Sequence, residues 1–138
     1  AWLGWGGHAA LVFRPPARGM TWYVAPSRVV KGSAGSGICA IALSDAKNGV
    51  IVGGNYEKPA ETRNNLASTG DGGKTWVAGS GLTGYRSGAA SIDRNPIIAV
   101  GSSVSVNSSS DVQTWTTIDT ARSTSVHTQG KHAVCSVG

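Results

Sequence analysis

Long apolar runs, cysteines, acids and helical periodicity are all scarce in this sequence, and each scarcity removes a class of protein. No apolar stretch approaches the ~20 residues of a membrane-crossing helix, so no membrane span is expected. Two cysteines, Cys39 and Cys135, cannot build a disulfide framework, and with the scattered His8, His127 and His132 they make no zinc-ligand spacing. No metal and no cofactor are therefore expected; a glycine-rich phosphate loop or nucleotide fingerprint ahead of a helix is also missing. The serines and glycines of residues 32–37 lack the G-x-S-x-G elbow of a serine hydrolase. Only 14% of residues are charged, and the 12 Lys+Arg against 7 Asp+Glu stand singly along the chain. The net charge of +5 favours anionic partners. It forms no basic stripe interleaved with aromatics, so no nucleic-acid partner is expected.

What remains is a chain of short strands and tight turns. Its 138 residues suit one domain, and 20 glycines with 5 tryptophans suit β structure rather than a helical bundle. The opening residues and residues 9–14 read as strands, and residues 26–37 as a connection. Strands at 38–43 and 50–54 flank the turn Ser44-Asp45-Ala46-Lys47-Asn48-Gly49. The longest polar loop covers residues 55–65, and Leu66 starts the strand that runs into Ser68-Thr69-Gly70-Asp71-Gly72-Gly73-Lys74-Thr75-Trp76. In that stretch Asp71 accepts from the loop's own amides, Gly73 and its neighbour allow positive φ, and Trp76 anchors the next strand. The pattern returns in degenerate form twice. Around Gly19-Met20-Thr21-Trp22 the acid's place is held by Ala17, and in Ser109-Ser110-Asp111-Val112-Gln113-Thr114-Trp115 the acid lies one residue closer to the tryptophan. Either one residue is deleted there or Ser110 takes the acid's place. Trp22, Trp76 and Trp115 are 54 and 39 residues apart, and the strands group as three, four, four and two. The cysteines sit in apolar strand-like runs and read as buried free thiols, or as a disulfide if the first and last groups of strands meet.

The S/T-x-D-x-G-x-T-W pattern of residues 69–76 resembles the Asp-box of β-propellers, both the sialidase-like kind and the secreted photosystem-assembly-factor kind. Gly53-Gly54-Asn55-Tyr56-Glu57-Lys58-Pro59 ahead of it is similar to the second kind as well. The resemblance implies an all-β fold of about three four-stranded antiparallel blades in one partial propeller domain, 1–138. Blade 1 would cover about 1–25, completed by 124–138 or by a partner chain, blade 2 about 37–79 and blade 3 about 85–119. Three blades do not close, so a homodimer completing the ring, or a longer parent protein, is expected. A secreted or periplasmic location goes with the resemblance.

Propellers of this type bind at the central face, which selects Tyr56, Glu57, Lys58, Glu61 and Arg63 in the long loop, with Tyr85 and Arg86 leading into the next blade. Arginine presents a planar fork to a carboxylate or phosphate and tyrosine a stacking surface with a hydroxyl. These suit an anionic small molecule, a glycan or an acidic protein partner. The alternative is a sialidase-like glycoside hydrolase, since Phe13-Arg14-Pro15-Pro16 resembles that family's Phe-Arg-Ile-Pro at three of four places. A nucleophilic tyrosine activated by a glutamate is poorly served by Tyr56 beside Glu57, because strand neighbours point to opposite faces. A non-catalytic binding scaffold is the first expectation.

Overall fold

In Val50-Ile51-Val52 and Ile97-Ile98-Ala99-Val100 every residue is apolar. Strands of this kind are stable only when covered on both faces. The computed structural model describes residues 3–5, 11–14, 23–29, 32, 34–93, 95–102, 106–120, 122–129 and 132–136. Among the described residues the chain is all-β, with no helix. Its strands are β1 (Leu3–Trp5), β2 (Leu11–Arg14), β3 (Tyr23–Pro26), β4 (Ser36–Leu43), β5 (Gly49–Asn55), β6 (Leu66–Thr69), β7 (Val77–Ala78), β8 (Gly88–Ser91), β9 (Ile97–Val100), β10 (Val106–Ser109), β11 (Thr116–Asp119), β12 (Ser125–Gln129) and β13 (His132–Ser136). They form four antiparallel sheets in chain order: β1-β2-β3, β4-β5-β6-β7, β8-β9-β10-β11 and β12-β13. The grouping of three, four, four and two strands is that of the sequence.

The sheets stack in series with a core between each pair. Ala25 and Val29 meet Ile51, Ala67 and Trp76 between the first and second sheets. Val50, Val52 and Leu66 on the other face of the second sheet meet Ile97 and Ala99 of the third, with Leu82 and Trp115. Ile98, Val100 and Val106 on the third sheet's far face meet Val126 of β12. Alternate residues of β5 and β9 thus enter different cores, which accounts for their unbroken apolar sequence. Val50, Ile51, Val52, Leu66, Ile97 and Val100 have no exposed surface. At about 1.5–3 kcal/mol for each such side chain, these strands outweigh any turn in holding the fold. β4 lies beside β8, and β8 beside β12, so the first strands of successive sheets are neighbours.

β12 and β13 pair with each other, and no ladder joins them to β1–β3 among the described residues. β12 is held against the third sheet, where Val126 enters the core and Ser87 donates to the Thr124 carbonyl at 2.6 Å. One feature departs from expectation: Cys39 is exposed rather than buried. β4 carries one residue more than β5, and the register steps from Ile38↔Gly53 to Ala40↔Val52. Cys39 is the extra residue of that bulge, turned out of the ladder as a free thiol. Trp22 and the degenerate box before it lie outside the described residues.

Candidate functional site

One end of the second and third sheets is built by aspartates in turns. Thr69, buried at the end of β6, donates to Asp71 Oδ1 at 2.8 Å and accepts from the Gly73 amide at 3.0 Å. Asp71 Oδ1 also accepts from the amides of Lys74 (2.9 Å) and Thr75 (3.0 Å), and Oδ2 accepts from the Thr75 hydroxyl. The turn needs positive φ at Gly72 (75°) and Gly73 (80°). These bonds, the Thr75 hydroxyl first and its amide next, hold the Asp71 carboxyl far below its ordinary range. Its turn is tied to the neighbouring one by the Gly72 amide, which donates to the Lys47 carbonyl at 2.9 Å.

The third sheet repeats the device with one residue fewer. Asp111 Oδ1 accepts from the Ser109 hydroxyl (3.1 Å) and from the amides of Gln113 (2.9 Å) and Thr114 (2.7 Å). Asp111, not Ser110, therefore serves as the acid, and the deletion falls after it. The cost appears at Val112, which takes the positive φ of 57° that a glycine provides in the longer turn. The amides of Thr114 and Gln113 lower the Asp111 carboxyl to about 2. Trp76 and Trp115 each pack toward the sheet preceding their own. The two carboxylates at this end are thus architecture, committed to their own loops.

The opposite end of the second sheet carries the residues selected for binding. The loop after β5 folds on itself: the amides of Tyr56 and Lys58 donate to the carbonyls of Gly35 and Asn55, both at 3.0 Å, and that of Glu61 to Lys58 at 3.0 Å. The next connection docks on it, with the Tyr85 amide donating to the Pro59 carbonyl at 2.9 Å and the Arg86 amide to that of Gly53 at 2.9 Å. Gly53 is required there because a Cβ would lie 1.9 Å from the Gly37 carbonyl oxygen. Glu57, Lys58, Glu61 and Arg63 are exposed, and Tyr56 keeps 58% of its surface in solvent. Tyr85 is half-buried, and its hydroxyl accepts from the Cys39 thiol at 3.3 Å. Burial first, then Cys39, with Tyr56 close enough to contribute, raise the Tyr85 hydroxyl well above its ordinary value. Tyr56, Tyr85 and Cys39 thus form one surface at the mouth of β4.

Arg86 does not join that surface. It has no exposed area, although its sequence neighbour reaches solvent. Its Nε and Nη2 donate to Asn107 Oδ1, the former at 3.1 Å, Nη2 also donates to the Thr83 hydroxyl, and Nη1 donates to the Tyr85 carbonyl at 2.9 Å. Asn107 in turn donates to the Thr117 hydroxyl at 3.1 Å. Burial lowers the guanidinium to about 10. This arrangement locks the lead into β8 onto β10 and faces inward, away from an anion in solvent.

Cys39, Thr83 and Asn107 were not selected from the sequence. The surplus residue of β4 is a signal for the first, since a bulge re-aims one side chain. Nothing in the local sequence marks the other two, whose role depends on strands brought together by folding. No group of three or more histidine, cysteine, aspartate or glutamate side chains able to hold a metal occurs among the described residues. Compared with known proteins, the chain matches no family model, no curated protein and no solved structure.

Proposed function

We propose that this chain is a propeller-type, non-catalytic binding scaffold whose ligand face is the end formed by residues 55–64 and 79–87. The observation that carries the reading is the docking of the Tyr85 segment on the Pro59 carbonyl, which gathers Tyr56, Glu57, Lys58 and Tyr85 on one rigid edge. Stacked four-stranded sheets whose first strands are neighbours, and the aspartate turns at the far end, support the propeller character. Rigid strands with an exposed polar loop at their mouth are the usual setting for recognition. Lys58 and Arg63 supply charge and the two tyrosines supply stacking surface, which suits an acidic glycan or an acidic protein segment. A second copy of the chain is the proposed means of covering the ends of the sheet series.

Three measurements test this. Titration with an acidic oligosaccharide panel, followed by amide shifts, is expected to move residues 55–63 and 85, with Lys58→Ala weakening the response. Fluorogenic sialosides and hexosides are expected to show no turnover; turnover lost in Tyr85→Phe would replace the scaffold with a glycoside hydrolase. Light scattering over a concentration series is expected to give twice the 14.0 kDa chain mass, and a monomer throughout would refute the assembly.

A further inference from the structure

One cleft lies away from the proposed ligand face, between the segment that follows β3 and the Asp71 turn. It encloses about 280 Å³ and is lined by Pro26, Ser27, Arg28, Lys74, Thr75 and Trp76. Its walls come from two connecting segments, the one after β3 contributing Arg28 and the one between β6 and β7 contributing Lys74, both exposed. Among the described residues no carboxylate lines it. Asp71, the acid closest in sequence, has both oxygens engaged by Thr69, Lys74 N–H and Thr75. Ser27 is 5% exposed, and its hydroxyl accepts from the Val29 amide at 3.3 Å, which leaves the hydroxyl's own proton to donate. The Thr75 hydroxyl is committed to Asp71. The cleft therefore offers an excess of donors, two of them cationic, on a floor formed by a buried indole.

We infer that this cleft binds a tetrahedral oxyanion, phosphate or sulfate, either free or as an ester on a small sugar. Arg28 and Lys74 both line the cleft, and an anion held there gains a charge-assisted contact from each. The guanidinium of Arg28 is suited to two oxygens of such an ion, and Lys74 acts as a point charge. The space exceeds that of one inorganic ion and leaves room for the remainder of an ester.

The test is calorimetric titration of the intact chain with inorganic phosphate, inorganic sulfate and glucose 6-phosphate, each against sodium chloride at matched ionic strength, with amide shifts recorded in parallel. Saturable binding is expected, with shifts at residues 26–28 and 73–76. Arg28→Gln and Lys74→Gln are each expected to weaken it about tenfold, and the double variant to abolish it while melting at the parent temperature. Tighter binding of the ester assigns the site to a substituted anion, and tighter binding of the inorganic ions assigns it to the free species; both uphold the inference. A response matched by sodium chloride, no response, or undiminished binding by the double variant would overturn it. Because Lys58 and Tyr85 are untouched, failure here leaves the proposed ligand face intact, and failure at that face leaves this cleft intact.

Discussion

Removing the Asp71 carboxylate is the sharpest probe of how the turns hold the sheets. Four donors converge on it: the hydroxyls of Thr69 and Thr75 and the amides of Lys74 and Thr75. In Asp71→Ala the exposed amides and Thr75 recover water, a loss comparable with removing a helix cap, about 1–2 kcal/mol. Thr69 is 4% exposed, and losing the acceptor of its hydroxyl adds about 1 kcal/mol. The total, about 2–3 kcal/mol, corresponds to a fall of roughly 10 °C in melting temperature for a domain of this size. Asp71→Asn keeps an acceptor oxygen but not its charge, and about 1 kcal/mol is expected.

The pH dependence separates charge from shape. In the unfolded chain Asp71 titrates at its ordinary 3.8, and in the folded chain its carboxyl is held lower. Below about pH 4 the unfolded state takes up the proton first, so the carboxylate's stabilisation is complete above that pH and is lost as pH falls toward the folded value. The gap between parent and Asp71→Asn, measured by urea unfolding, should be full at pH 7 and narrower at pH 3. A gap that stays constant or widens on acidification would refute the carboxylate's role, as would a loss below about 0.5 kcal/mol in Asp71→Ala.

Two further perturbations address the residues near the proposed ligand face. Arg86→Met should cost about 2–3 kcal/mol in urea unfolding, because it takes both guanidinium donors from the buried Asn107 Oδ1 and leaves it the Thr83 hydroxyl at 3.3 Å, and Arg86→Lys should not restore it, since an ammonium cannot span Asn107, Thr83 and the Tyr85 carbonyl. Recovery by lysine would show that charge alone matters. Cys39 should react with a disulfide reagent in the folded protein at a rate close to that of the unfolded chain, and Cys39→Ser should remove the fast phase; a thiol protected until unfolding would contradict the bulge.

Strand content and grouping were legible along the chain because they rest on local chemistry. Alternating or unbroken apolar segments, the glycines at 72 and 73, and an aspartate followed by a tryptophan act within a few residues of themselves. The candidate surface was only half legible. Tyr56, Glu57 and Lys58 could be chosen because they sit in the longest polar loop, and a polar loop stays in solvent wherever the strands go. Arg86 was chosen for its chemistry, and its environment depends on Asn107, twenty-one residues away on another strand.

The sequence by itself determined that the chain forms short antiparallel strands, that Asp71 closes a turn, and that segments such as Val50-Ile51-Val52 need cover on two sides. The tertiary structure alone decided which sheets supply that cover. It also turned Cys39 outward, set its thiol against Tyr85, drew the Arg86 guanidinium inward and brought Arg28 and Lys74 to one cleft. The physical reason is range. Turn hydrogen bonds and strand propensity are settled between near neighbours, whereas burial and the meeting of charges depend on surfaces that exist only once separate sheets have stacked.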